Sequence, residues 1–176
     1  MSEKFKLNEK SIVARHQKGN VRFRKFTKQL NRIFSFLYRI NLLPLFGVGR
    51  TMILLKTIGR KTGKKRTTPV LCRIFHTGEL TLYSARGKKA DWLRNILADE
   101  KKQTNIQKGF RRMKVEAKLV EPVEEREEHL KYWFENLDDA KYIFGYERDK
   151  HGDVTATEEF KKIAKSIEFI QLIPVK

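Results

Sequence analysis

The sequence predicts a mainly β fold, a small barrel of six short strands with helices appended. Three observations carry this. Apolar, β-branched residues gather in short runs bounded by glycine and proline turns. Six such runs with short connections and few helices suit a small barrel. The 176 residues, 40% hydrophobic and 34% charged, suffice for one domain with a real core. Neither an internal repeat nor a low-complexity segment appears.

Residues 1–20 are polar and basic with little periodicity, which predicts a loose N-terminus. From Val21 to Ile40, Phe23, Phe26, Leu30, Ile33, Phe34 and Leu37 recur at steps of three and four. Arg22, Arg24, Lys25, Lys28, Gln29, Arg32 and Arg39 fill the opposite face, so the segment is a basic amphipathic helix. Asn41 and Pro44 end it. Two uses suit such a helix: packing on the barrel, or lying on an anionic membrane surface with cations outward. The domain plan is thus a basic N-terminus over 1–20, the helix over 21–43 and the barrel over 44–176.

Strands are predicted at Thr51 to Thr57, Pro69 to His76 and Leu80 to Ser84, the last two joined by a Thr77-Gly78 turn. Trp92, Leu93, Ile96 and Leu97 share one side of a helix from Lys88 to Asp99. Thr104 to Gln107 and Arg111 to Leu119 are strands joined at Gly109; Met113, Val115, Ala117 and Leu119 alternate with charges in the second. Pro122 starts a helix from Val123 to Asn136, with Glu124, Glu125, Glu127 and Glu128 suited to its N-terminal dipole. Asp138 to Gly152 forms a loop or short helix. Thr157 caps a helix to Ile163, and Ile167 to Ile173 is the last strand.

The most telling segment is Ile58-Gly59-Arg60-Lys61-Thr62-Gly63-Lys64-Lys65-Arg66-Thr67-Thr68-Pro69, a cationic loop between the first two strands. Gly59 and Gly63 permit positive φ and are expected to leave backbone N–H groups uncovered. With the surrounding lysines and arginines they would make a nest for a phosphate or carboxylate.

Thr57-Ile58-Gly59-Arg60-Lys61-Thr62-Gly63, followed by Arg66-Thr67-Thr68-Pro69, resembles the signature of the deazaflavin-dependent nitroreductase and quinone reductase family. A second block, Leu82-Tyr83-Ser84 then Trp92 and Asn95, resembles that family's strand ending in Ser and its Trp-x-x-Asn helix. The resemblance is good over about Thr51 to Glu100. It implies a split β-barrel of the FMN-binding type that uses coenzyme F420, with FMN as the alternative cofactor. It places the anionic tail of F420 along Gly59, Arg60, Lys61, Thr62, Gly63, Lys64, Arg66, Thr67, Thr68 and Pro69, with Lys88 and Lys89 assisting. Ser84 would bond the cofactor ring or a substrate carbonyl, or cap a helix. Trp92 would wall the pocket or pack in the core. Tyr142 and Tyr146 would donate a proton to the reduced acceptor, or pack on the barrel mouth with Phe144. Between Ser84 and Trp92, where family members often carry glycines and prolines, Gly87 alone remains.

The implied reaction is hydride transfer from reduced deazaflavin to a quinone, nitro compound or similar electron-poor acceptor. It needs no protein nucleophile and no metal. The sequence agrees: it has no HExxH and no CxxC, and His16, His76, His129 and His151 lack ligand spacing. Cys72, the lone cysteine, falls in a buried strand, which favours a reducing compartment. No secretory signal and no span of ~20 uncharged residues is read in the sequence. The expected location is cytoplasmic, with peripheral contact on the inner face of the membrane through 21–40. A homodimer would suit a split barrel. A net charge of +18 also fits nucleic acid, but no recognition helix or RNP-type aromatic pair is present. The rival readings are a basic nucleic-acid module and a non-catalytic flavin-binding or membrane-associated protein.

Overall fold

The computed structural model describes residues 5–19, 21–75 and 78–175. Six antiparallel strands close into a barrel in the order β1-β2-β3-β6-β5-β4. They are β1 (Met52–Ile58), β2 (Lys65–Ile74), β3 (Leu80–Ser84), β4 (Gln103–Lys108), β5 (Arg111–Leu119) and β6 (Glu168–Pro174). The helices are α1 (Ile12–Gln17), α2 (Val21–Arg39), α3 (Leu42–Leu45), α4 (Asp91–Leu97), α5 (Val123–Asn136), α6 (Ala140–Ile143), α7 (Arg148–His151) and α8 (Glu158–Ser166).

Alternation decides which side chains fill the barrel. Ile53 and Leu55 of β1, Val70 and Cys72 of β2, and Val115 and Ala117 of β5 point inward. Leu93 and Ile96 of α4 join that cluster and close one end. A second core lies outside the sheet around Trp133 of α5. Tyr83 meets its ring edge-on at 4.6 Å and Phe144 at 5.3 Å. The indole N–H donates to Asp139 Oδ1 at 2.7 Å, and Asp139 pairs in turn with Arg73 of β2. A buried indole thus has its one donor satisfied.

Several boundaries move. β2 begins at Lys65 rather than Pro69, because Lys65 to Thr68 pair with Ile58 to Leu55 despite their polarity. Cross-strand pairing overrides the composition that marked them as loop. His76 and Thr77 lie outside the described residues, so the predicted Thr77-Gly78 turn is represented only by Gly78, with φ 76° and its N–H donating to Phe75 O. The helix expected from Lys88 is split into a 3-10 turn, Gly87–Lys89, and α4. Asp138 to Gly152 carries α6 and α7. Thr157 caps α8 by accepting from Phe160 N–H at 3.2 Å.

The N-terminus departs most from expectation. Residues 5–19 are not loose on the surface: Phe5 and Val13 are buried in the outer core, and Ser11 caps α1. Phe5 meets Phe134 and Tyr146 edge-on at 5.8 and 5.6 Å. Short apolar anchors in a basic segment gave no periodic signal.

The helix from Val21 forms, and its stripe is only partly covered: Phe23, Phe34 and Leu37 are half-buried, and α2 touches β2. Phe26 and Ile33 of the stripe, and Phe36 beside it, are exposed; Tyr38 near the C-terminal end is fully buried. Its hydroxyl donates to Met52 O at 2.9 Å and accepts from Gly109 N–H at 2.8 Å. Gln107 Nε2 donates to Asn41 Oδ1 at 3.1 Å just beyond. These bonds tie the end of α2 to the β4–β5 turn. Tyr38→Phe leaves a carbonyl and an amide without their partner. It should destabilise the fold by about 1–3 kcal/mol in urea titration; unchanged stability would show that the tether is not formed.

Candidate cofactor site

Two strand ends and one helix build the site. β2 pairs with β1 from Lys65 to Leu71, but with β3 only from Cys72 onward. Lys65 to Leu71 therefore has no bridged strand on its other side among the described residues. Gly59 N–H donates to Lys64 O and Cys72 N–H to Thr51 O, both at 2.9 Å. This phase turns the even-numbered backbone groups of β2 toward β1 and those of Thr67 and Pro69 toward the gap. Pro69 has no N–H to leave unmade there, which is why proline is tolerated within this strand. The side chains of Arg66 and Thr68 fall on the same face as inward Val70 and Cys72, at the barrel mouth.

The Gly59–Lys64 loop is tighter than expected. Gly63 sits at φ 63°, and its N–H donates to Gly59 O at 2.7 Å. Thr62 N–H donates to the same carbonyl. A Cβ on Gly59 would lie 2.9 Å from Thr62 Oγ1 and 3.3 Å from Lys64 O. The glycines are thus needed for the turn itself. The amides of Gly59 and Gly63 are not open donors, which corrects the expected backbone nest; anion binding here falls to side chains.

Arg60 is also committed. Its backbone N–H and Nη1 reach Asn95 Oδ1 at 3.2 and 3.1 Å, and Nη2 reaches Asp91 Oδ1 at 3.2 Å. Asn95 Nδ2 donates to Thr57 Oγ1 at 3.3 Å. Asn95 and Asp91 thereby lock the loop to α4. Neither was singled out as a site residue, although the Trp-x-x-Asn spacing pointed to Asn95. Lys61, Lys64, Lys65 and Arg66 are exposed and have no carboxylate within ion-pair reach among the described residues. They supply uncompensated positive charge at the edge of the gap.

Ser84 ends β3 and is buried. Its hydroxyl donates to Gly87 O at 2.8 Å, so it shapes the turn instead of capping α4. Gly87, at φ 53°, cannot be replaced freely: a Cβ there would sit 2.7 Å from Ser166 O. Glu168 lies opposite Ser84 on β6 and pairs with Arg126 at 3.3 Å. Burial pushes the Glu168 carboxyl up, while Arg126 and Lys88 pull it down. Lys88 and Lys89 are exposed on the 3-10 turn, and Trp92 is half-buried against the barrel core.

The two tyrosines separate. Tyr146 is buried, stacks on Phe134 at 4.2 Å and donates to Gly152 O at 2.8 Å. Burial raises its phenol pKa. Tyr142 is 65% exposed, with Lys141 Nζ 4.9 Å from its ring centre. No contact among the described residues joins either tyrosine to Ser84 or to the loop. Burial pushes the Cys72 thiol up to about 11, leaving it protonated at neutral pH.

The sequence of residues 42–149 matches the family described as F420H(2)-dependent quinone reductase. The chain belongs to that family. It is an F420-dependent oxidoreductase with a six-stranded barrel, and coenzyme F420 is its cofactor. No curated protein matches the sequence. Among solved structures, the chain is similar to an F420-H2 dependent reductase at 24% identity, covering 69% of this chain and 94% of that one, TM-score 0.42. A conserved hypothetical protein from Mycobacterium tuberculosis is 14% identical over 76% and 79% of the chains, TM-score 0.48. A pyridoxamine 5'-phosphate oxidase-related, FMN binding protein from Nostoc punctiforme is 15% identical over 82% and 78%, TM-score 0.45.

The residues present fit an anionic cofactor: four uncompensated cations border an unpaired strand edge, and the loop that carries them is braced from below. The brace is testable. Asn95→Ala removes the acceptor that holds Arg60 and should weaken F420 binding about 3- to 10-fold, on the order of one hydrogen bond. Fluorescence titration measures it, with urea denaturation checking the fold. Unchanged affinity would remove the bracing role.

Proposed function

We propose that this chain passes hydride from reduced F420 to a quinone, a nitro compound or a similar electron-poor acceptor. The observation that supports this reading is the open side of β2, bordered by Lys61, Lys64, Lys65 and Arg66. Reduced F420, when bound, would supply a hydride and give up one ring proton as it returns to the oxidised form; a quinone that takes the hydride and one proton, by way of the medium or a side chain, becomes a hydroquinone.

The chain's own residues hold and orient. Lys61, Lys64 and Arg66 take the phosphate and carboxylate oxygens of the tail, with Lys65 beside them and Lys88 and Lys89 on the neighbouring turn. Thr62, Thr67 and Thr68 add hydroxyls, and Gly59, Gly63 and Pro69 give the loop and edge their shape. Arg60 acts through the loop, fixed by Asn95 and Asp91. Ser84 fixes the turn at Gly87, and Trp92 borders the barrel end. Of the two phenols, Tyr142 presents its hydroxyl to solvent, so a phenolic proton, where the reaction requires one, comes from Tyr142. Tyr146 is a packing residue.

The exposed stripe of α2 supports peripheral contact with a membrane, where quinones reside. Among the described residues no helix is long and apolar enough to cross one. The contact would therefore be interfacial, with α2 in the plane of the headgroups.

The test is a fluorescence titration with F420 followed by turnover. Exposed ion pairs are worth roughly 0.2–1 kcal/mol each, so Lys61→Ala/Lys64→Ala/Arg66→Ala together should raise Kd about 3- to 100-fold with a smaller change in kcat. An unchanged Kd would overturn the assignment of the tail to this loop. Tyr142→Phe should lower kcat about 100-fold, the low end for general acid catalysis, while Tyr146→Phe leaves kcat within about twofold. The reverse order would return the donor to Tyr146.

A further inference from the structure

We infer that the far end of the barrel carries a phospholipid site: Arg50, Lys108 and Arg111 take the phosphate of an anionic lipid, and the apolar residues around them sit among its chains. The inference extends the membrane contact of α2 and rests on it.

The charge distribution selects the partner. Between Glu9 and Glu79 the sequence contains no Asp or Glu, and between Glu100 and Glu121 only Glu116. These two segments supply α2, α3, the 3-10 turn Val48–Arg50 and the β4–β5 turn. A groove of about 570 Å³ lies where they meet, lined by Pro44, Leu45, Arg50, Lys108, Arg111 and Met113 with two glycines. Among the described residues no carboxylate lines it. Lys108 and Arg111 are cross-strand partners, so their charges are held side by side. Neither they nor Arg50 make an ion pair among the described residues.

Large apolar residues crowd the rim. Leu45 is 71% exposed, Phe46 75% and Phe110, at the tip of the β4–β5 turn, 63%. Phe26, Ile33 and Phe36 of α2 are exposed as well, so the apolar surface left open is not confined to the groove. Its walls are fixed, because Tyr38 and Gln107 bond α2 and Asn41 to the β4–β5 turn. Phosphate-binding cations beside exposed phenylalanines match a lipid headgroup and its chains better than a wholly polar anion.

The groove is separate from the cofactor loop. β1 leaves the groove end at Met52 and reaches the loop after Ile58, a rise of roughly 20 Å at about 3.3 Å per residue. A lipid seated at one end therefore leaves the other end clear for F420.

Co-sedimentation with phosphatidylcholine vesicles, with and without phosphatidylglycerol, tests the site. The wild type should bind the anionic vesicles and not the neutral ones. Arg50→Ala/Lys108→Ala/Arg111→Ala should weaken that binding at least about tenfold, whereas the equal charge change Lys61→Ala/Lys64→Ala/Lys65→Ala costs less than about threefold. Inorganic phosphate should fail to displace the vesicles. Equal losses from the two triple variants, or displacement by phosphate, would overturn the site in favour of general attraction or a free-ion site. A wild-type dimer that ignores both kinds of vesicle would overturn it in favour of a second copy. Phe26→Asp/Ile33→Asp separates the two layers. If it abolishes binding while the groove variant binds normally, α2 contact stands and the groove fails. If it binds normally, the α2 contact fails.

Discussion

The asymmetric pairing of β2 is the constraint on which the site depends. Seven of its residues bond β1 and only its last three are bridged to β3. The barrel can still close because β3 continues onto β6, and β6 onto β5 and β4. What remains is a gap along the side of β2 that faces away from β1. Such an edge inside a folded protein needs a ligand, solvent or a residue that cannot bond. Pro69 serves the last purpose at one position. Thr67 leaves its backbone donor and acceptor on that side, beside the loop that carries the free cations.

α4 turns this gap from an opening into a site. It packs Leu93 and Ile96 into the barrel and presents Asn95 and Asp91 to the loop. One short helix therefore both closes the core and sets the loop's position. The cost falls on Arg60, whose guanidinium is spent on protein partners. The lysines on the far side of the turn keep their charge for an outside partner. The division explains why a loop with so many cations contains two kinds: one positioned inward by a carboxylate and an amide, the others unpaired.

Much of this was legible in the sequence. Period-two alternation marked Arg111 to Leu119, and Pro122 with its following glutamates marked the start of α5. The long loop signature, with Ser84, Trp92 and Asn95, pointed to the family that the comparison shows. Polar strand residues were not legible: Lys65 to Thr68 read as loop because their partner strand, not their composition, fixes them. Nor was the use of the glycine amides, which depends on how tightly the turn closes. Phe5 and Val13 gave no periodic signal, yet burial against Phe134 and its neighbours orders the N-terminal segment. The two tyrosines looked equivalent until packing set one in the core and left the other in solvent. The apolar stripe of α2 was plain from sequence, but how much of it faced protein was not: Phe23, Phe34 and Leu37 are half-covered, Phe26 and Ile33 stay in solvent, and Tyr38, off the stripe, is the residue drawn fully in.

Positive charge lies at both ends of the barrel, so the cofactor's anionic tail has two places to go. Amide hydrogen–deuterium exchange with and without F420 distinguishes them most directly. Peptides covering residues 59–70 and 84–92 should slow on binding, while those covering 44–50 and 108–113 stay unchanged. Slowing confined to the second pair would contradict the account, because the open edge of β2 would then not be where the coenzyme rests.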